Sequence, residues 1–384
     1  MMKVLYIKAD GLPLYKEPFE VSFYGTQRRE KKHVDSTCRL FGNIFINCAE
    51  AFIGINASGK TTALKVISFV FCLLSGQPLN APQVPKILAD GSPAMIEVVF
   101  FAAGKIYRLR SQIIREKAAN GSSTIRIVSE ELYQRADLSR INKNNLLDLK
   151  AMTLSRKREN EEYLSDDVSI MIALNRETRD EIHFIDQTAL TDFNFYMPNW
   201  GTVSQEIISL LDPTIERIDI LEDGEKPKII LKFYGQKEMT LYDYGDLNRY
   251  LSSGTIKGIG VFTDAVRALQ QGGYFIIDEI EDHFNRELVA ALLRLFLNKT
   301  TNPHGAVIIF TTHYPELLDE LDRNDPVFIT RNRKGLTVDN LASLLKRNDL
   351  KKSDVYEADF LGGTAPAYRA VQAMRRSVIS HMEQ

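Results

Sequence analysis

The chain has 384 residues, 44% apolar and 26% charged, which is enough for one large domain or two smaller ones with well-formed cores. Its 48 Lys and Arg against 50 Asp and Glu leave a formal charge of -2, which excludes a global basic field that recruits nucleic acid. Any DNA contact must then come from local patches and is expected to be weak. The longest apolar run, VISFVFCLL (66–74), is too short to span a bilayer, and MMKVLYIKADG lacks a leader pattern, so a soluble cytoplasmic protein with no membrane contact is expected. Cys38, Cys48 and Cys72 have no metal-ligand spacing and are too few for a disulfide framework.

In chain order, the run TQRREKKH (26–33) is basic, and on charge alone it reads as a solvated face. The first chemical motif is FIGINASGKTTALKVISF. Gly54, Ile55, Asn56, Ala57, Ser58, Gly59, Lys60 and Thr61 fit G-x-x-x-x-G-K-[ST], with Thr62 following. NIFINCAEAFIG supplies a strand before the loop, and TTALKVISFVFCLL supplies an apolar helix after it. Glycines let backbone N–H groups wrap phosphates, the helix start adds its positive end, Lys60 reaches the β- and γ-phosphates, and Thr61 ligates Mg²⁺. ATP and Mg²⁺ are therefore the expected substrate and metal.

AMIEVVFFAAGKIYRLRSQIIRE then reads as strands about a turn. From Ala118 to Trp200 the chain becomes charged, and stretches such as NNLLDLKAMTLSRKRENEEYL predict a helical insertion that either serves as a partner platform or forms a solvated lobe. At LSSGTIKGIG, Ser252, Ser253 and Gly254 precede a helix with Ile256, Ile259, Phe262, Val266 and Leu269 at helical spacing. Two readings stand side by side: a self-cap by Ser252 or Ser253, or a phosphate site. The helix feeds directly into the next strand, so its start is expected a full helix length from that strand's catalytic end. A phosphate held there would belong to another subunit, which predicts a homodimer.

In GGYFIIDEIEDHF, the apolar run Tyr274–Ile277 reads as a buried parallel strand ending in Asp278, which is expected to support Mg²⁺, and Glu279, expected as general base. AVIIFTTHYPELLDEL repeats the pattern and puts His313 just past a third strand, where ligands sit in open α/β sheets and a histidine can stabilise the γ-phosphate. Beyond Arg331, two short helices are expected around LGGTAP, with Lys346, Arg347, Lys351 and Lys352 in one basic cluster.

Phosphate loop, LSSGT, FIIDE and TTH, in this order, resemble the ABC-type ATPase superfamily and its SMC, RecF and OLD-like branch. KVLYIKADGLPLYKEPFEVSF is similar to the opening strands of RecF-like heads, and SSGTIKG, DEIED and TTHYPELLDEL resemble bacterial AAA-family or OLD-like ATPases, many from phage-defence operons. The resemblance implies an α/β P-loop fold with a mixed central sheet flanked by helices and an N-terminal antiparallel β-lobe. The division is then head 1–117, helical insertion 118–200, head 201–330 and a C-terminal helical segment 331–384.

It also implies ATP-driven dimerisation, with Ser252 and Gly254 of one subunit at the γ-phosphate held by Lys60 of the other. The resulting switch would act on a partner effector or nucleic acid. OLD-like proteins often carry a nuclease domain after the ATPase. The short tail here has no strand series with clustered acids, so a nuclease or toxin is expected as a separate polypeptide. Two features depart from the pattern. Asn285 stands where SMC-like heads have aspartate, and the glutamine that couples nucleotide to lobe is either Gln112 or Gln187. A RecF-type repair ATPase, a transporter ATPase subunit and a non-hydrolysing clamp are the alternative readings.

Overall fold

In this computed structural model, which describes residues 1–117, 121–158, 164–190, 201–223, 226–282, 284–347, 350–362 and 368–382, the first elements are antiparallel. Strands β1 (Lys3–Asp10) and β2 (Phe19–Ser22) precede a hairpin of β3 (Thr37–Phe41) and β4 (Ile44–Asn47), and β5 (Ala49–Ile53) leads into helix α1 (Lys60–Ser75). Then come β6 (Ala94–Ala102), β7 (Lys105–Lys117), β8 (Ser123–Arg135) and β9 (Thr153–Lys157), which join the first two strands in one antiparallel sheet of order β2-β1-β6-β7-β8-β9. Helix α2 (Met171–Thr178) is followed by β10 (Phe184–Asp186). Next, β11 (Gly201–Thr202), helix α3 (Gln205–Leu211), β12 (Ile215–Asp223), β13 (Lys226–Phe233) and β14 (Met239–Leu241) contribute a four-stranded antiparallel sheet. Helix α4 (Ser253–Gln271), β15 (Tyr274–Ile277), α5 (Arg286–Phe296), β16 (Val307–Thr312), β17 (Val327–Asn332) and β18 (Leu336–Asn340) follow, and then α6 (Leu341–Leu344), α7 (Lys352–Glu357) and α8 (Tyr368–Met382).

The central sheet has the order β10-β15-β16-β5-β17-β18, parallel except for β18. The inner strands β15, β16 and β5 are largely apolar because both faces are covered, with Glu50 a buried exception in β5. Successive residues alternate between two cores. Phe52, Tyr274, Ile276, Val307 and Ile309 face α1 and the antiparallel sheet, while Ala51, Ile53, Phe275, Ile277, Ile308 and Phe310 face α4 and α5. Twelve of the sixteen residues of α1 are buried, as expected for a helix apolar on all sides. The fold is thus an α/β P-loop NTPase fold with an antiparallel layer.

The expected helical insertion over 118–200 is corrected. Residues 123–135 are a strand paired along its length with β7, β9 extends the same sheet, and α2 is the one α-helix among the described residues of this stretch. The charges that suggested solvated helix are cross-strand pairs, such as Arg126–Glu116 at 2.7 Å and Lys157–Glu131 at 3.5 Å, while Ile127 and Leu132 point into the core.

The segment from 331 is likewise not helical throughout, since β18 closes the edge of the central sheet there. LGGTAP lies mostly outside the described residues. The basic cluster expected near it divides, because Lys352 is buried and donates to the Leu321 carbonyl at 2.6 Å, whereas Lys346 is exposed.

Candidate nucleotide site

Strand β5 ends at Ile53, and the loop from Gly54 to Gly59 turns the chain into α1. Gly54 is required by close approach: a Cβ there would lie 2.3 Å from Ser58 Oγ and 2.4 Å from Thr330 Oγ1. Ser58 and Thr330 hydroxyls meet at 2.7 Å, tying the loop to β17. Gly59, the N-cap of α1, has φ +98°, and no side chain caps the helix. A cleft of about 690 Å³ opens over this loop, lined by Asn56, Ala57, Ser58, Gly59, Lys60, Thr61 and Thr62, by Glu279 and His313, and by Pro13, Leu14, Asn332 and Leu336. Ile55 contributes its carbonyl, which accepts the Ser58 N–H at 3.1 Å.

Because β16 runs between β5 and β15, the three strand ends converge on one edge. Thr61 Oγ1 donates to Asp278 Oδ2 at 2.7 Å, Thr311 Oγ1 donates to Asp278 Oδ1 at 2.5 Å, and the Glu279 N–H donates to Thr311 Oγ1 at 2.7 Å. Glu279 has φ +48°, which turns its carboxyl out of the strand direction. His313 Nε2 lies 3.4 Å from Glu279 Oε1, and its Nδ1 lies 3.4 Å from Lys60 Nζ. Lys60 also donates to the Gly54 carbonyl at 3.0 Å. Burial pulls the Lys60 pKa down, while Glu279, Asp278 and Glu281 act to keep the proton on.

Three of these residues had no assigned role in the sequence reading. Thr311 bridges the two acids, Glu281 accepts the His313 backbone N–H at 2.5 Å, and Asn332 donates to the Ala57 carbonyl at 3.2 Å. Thr311 and Glu281 stand inside the quoted TTH and DEIED motifs, where adjacency to a catalytic candidate is the only signal. Burial raises the Glu281 pKa, opposed by its bond from His313.

Ser252, Ser253 and Gly254 do not line this cleft. Ser252 caps α4, its Oγ accepting the Thr255 N–H at 3.0 Å. The expectation that the start of α4 lies far from the catalytic end is corrected. The chain reverses at Gly272 (φ +63°), so the helix doubles back beside its strand and Lys257 reaches Asp282 at 2.6 Å. Asn285 caps α5 by accepting the Leu288 N–H at 2.9 Å, a role aspartate fills equally well, so the cap does not account for the departure from aspartate.

The two glutamine candidates are separated. Gln187 is buried beside β15, its N–H on the Ile276 carbonyl and its side chain donating to Asp264 of α4 at 2.8 Å; Gln112 lies in β7, bonded to Ser129 at 3.5 Å. Among the described residues no group of three or more His, Cys, Asp or Glu side chains is placed to hold a metal ion, and no helix is long and apolar enough to cross a membrane. Burial pushes the Cys48 and Cys72 thiols up to about 12, which makes them poor nucleophiles.

Over residues 51–319 the chain matches the family described as "AAA domain, putative AbiEii toxin, Type IV TA system", and it belongs to that family, a class of P-loop AAA-type ATPases. No curated protein matches it significantly.

Proposed function

We propose that this P-loop AAA-type ATPase is an ATP-hydrolysing switch, and the order of phosphate loop, LSSGT, FIIDE and TTH supports a likeness to the SMC/RecF/OLD-like branch. It dimerises around ATP and acts on a separately encoded effector, such as a nuclease or toxin, in abortive antiviral defence in the cytoplasm. The observation that carries the catalytic part is the hydrogen-bonded line Thr61–Asp278–Thr311–Glu279, which holds two acids at one edge of the sheet beside Lys60.

The donor set fits Mg²⁺: Thr61 Oγ1 and Asp278 Oδ2 are hard oxygen ligands already 2.7 Å apart, and a metal that keeps several waters needs few protein ligands. Bound there, Mg²⁺ would neutralise charge on the β- and γ-phosphate oxygens. Loop N–H groups and Lys60 hold those phosphates. Glu279 takes the proton of the water whose oxygen attacks the γ-phosphorus, ADP leaves, and His313 steadies the γ-phosphate between Lys60 and Glu279. Ser252 and Gly254 serve the partner subunit's nucleotide in this reading.

Glu279→Gln is expected to retain ATP affinity by equilibrium binding and to lose turnover by about 10²–10⁴-fold. Light scattering should then show an ATP-dependent dimer. A loss of affinity as large as that of Lys60→Ala would remove Glu279 from the role of base.

A further inference from the structure

His313 sits just past the end of the central-sheet ladder. Strand β16 pairs with β5 as far as Thr312, and toward β15 the last backbone bond runs from the Ile280 N–H to the Thr311 carbonyl at 3.1 Å. Glu279, with φ +48°, turns the β15 chain aside at this point. The next N–H on that side of β16, that of His313, is taken by a side chain instead, and Glu281 Oε1 accepts it at 2.5 Å. This is closer than the usual N–H···O distance of about 2.9–3.0 Å.

The imidazole that hangs from this backbone is held more loosely. Protonated Lys60 Nζ can only donate, so His313 Nδ1, 3.4 Å away, is the acceptor, and Nε2 carries the ring proton toward Glu279 Oε1, also 3.4 Å away. Contacts of that length are weak, so the place of the ring follows from the backbone, whose closest anchor is Glu281. Glu281 itself does not line the nucleotide cleft, so it meets neither a phosphate nor an attacking water there. Its Oε2 is closed off from water without a hydrogen bond, and the Thr312 hydroxyl beside it accepts the Tyr314 N–H at 2.9 Å. An unanswered buried oxygen is a cost to the fold, and a side chain kept for stability alone would not carry one. Local conflicts of this kind collect at functional sites.

We infer that Glu281 is a positioning residue of the ATPase site: its carboxyl fixes the His313 backbone so that the imidazole stands between Lys60 and Glu279, and it acts on the reaction only through that ring. This rests on the proposed ATPase reading. What the site asks of Glu281 is an acceptor oxygen rather than a charge, because the group it holds is a neutral N–H and burial raises the Glu281 pKa.

The test compares Glu281→Gln, which keeps the acceptor oxygen and the shape, with Glu281→Ala, which removes both. Glu281→Ala should leave the equilibrium Kd for ATP unchanged and lower kcat by about 10–10²-fold, the scale of a small displacement of a catalytic group. Glu281→Gln should keep most of the wild-type kcat. In a His313→Ala background, Glu281→Ala should cost no further turnover. Losses that multiply, or a glutamine variant as slow as the alanine one, overturn the assignment. A readout independent of turnover is the Cε1–H NMR signal of His313 in a chain with isotope-labelled histidines, identified by its disappearance in His313→Ala. That signal should move in Glu281→Ala and hold in Glu281→Gln. Glu281→Asp, which withdraws the carboxyl by one methylene, should move it too and serves if the alanine chain fails to fold. A signal unmoved by either shortening overturns the assignment whatever the turnover. If wild type binds ATP without hydrolysing it, the ATPase reading fails, and this signal alone decides whether Glu281 places the ring.

Discussion

Helices α1 and α4 both begin beside serine and glycine, and they begin differently. At α1 the N-cap is Gly59 in the left-handed region, and no side chain closes the first turn; at α4 Ser252 accepts the Thr255 N–H at 3.0 Å. A helix start leaves N–H groups without intrahelical partners, and a cap residue supplies one of the missing acceptors. In α4 the chain supplies its own acceptor. In α1 the uncapped turn opens into the cleft that holds Lys60, Glu279 and His313, so its donors are available to a phosphate. A self-capped start can hold its shape until a partner arrives, whereas an uncapped one is completed only by a ligand.

The strongest way to break this comparison is to load the capped start. Ser252→Phe should leave ATP binding to the monomer unchanged. If α4 serves a neighbour's nucleotide, the same change should abolish ATP-dependent dimerisation and lower turnover by about 10²–10³-fold, the scale of losing a donor to developing charge. Mixing Ser252→Phe with Lys60→Ala subunits, each inactive alone, should restore part of the turnover through the one composite site free of both lesions. Normal dimerisation of Ser252→Phe on ATP would return α4 to the role of a capped helix and nothing more.

The uncapped start is broken from the other side by Gly59→Ala. The added Cβ would meet Leu336 at 2.8 Å on a backbone with φ +98°. Left-handed backbone alone costs a side-chain-bearing residue about 1–2 kcal/mol, so ATP affinity should fall about tenfold or more, as read by isothermal titration. Gly42→Ala, also left-handed but with open space around it, should leave affinity untouched. Equal affinity for Gly59→Ala and wild type would show that the loop adjusts freely and that its geometry does not set binding.

The uncapped start was readable in the sequence because glycine spacing, a lysine and an apolar helix are local signals with local causes. The apolar runs Tyr274–Ile277 and Val307–Phe310 were readable for the same reason, since burial on both faces leaves few polar positions. What escaped was pairing at a distance. Ser123–Arg135 looked like a charged helix because its ion partners, such as Glu116, sit on another strand, and only that strand reveals a two-residue period. Thr311 carried no signal of its own beside His313, yet it holds both Asp278 and Glu279. The direction of α4 was misjudged for a geometric reason: a tight reversal at Gly272 returns the chain along the helix, a turn that helix length alone does not convey.

A smaller effect separates capping from phosphate binding at α4. Ser252→Ala removes the acceptor without adding bulk and should cost about 1 kcal/mol in denaturant unfolding, while Ser252→Thr should keep most of it. If Ser252 also reaches a partner's phosphate, the alanine variant should lose more turnover than that destabilisation accounts for. Turnover equal to wild type with the stability loss present would confine Ser252 to capping.

The smallest expected effect concerns how α4 is tied to the central sheet. Gln187 Nε2 donates to Asp264 Oδ2 at 2.8 Å, and Arg267 lies 3.4 Å from the other oxygen. Burial nevertheless raises the Asp264 pKa, because the low-dielectric surroundings disfavour its anion more than these partners stabilise it. The folded state therefore holds this proton to higher pH than the unfolded chain does. The contribution of Asp264 to stability is full below the unfolded value of about 3.8 and is lost as pH rises through the folded value. Asp264→Asn keeps an acceptor for Gln187 and removes the titration. Its stability relative to wild type should rise with pH from about 4 upward and then level off, on a melting scale of about 1 °C per kcal/mol for a chain of this length. A difference that is constant with pH, or that falls as pH rises, would mean that Asp264 stays ionised and that the Gln187 tie to α4 is a charge-assisted bond.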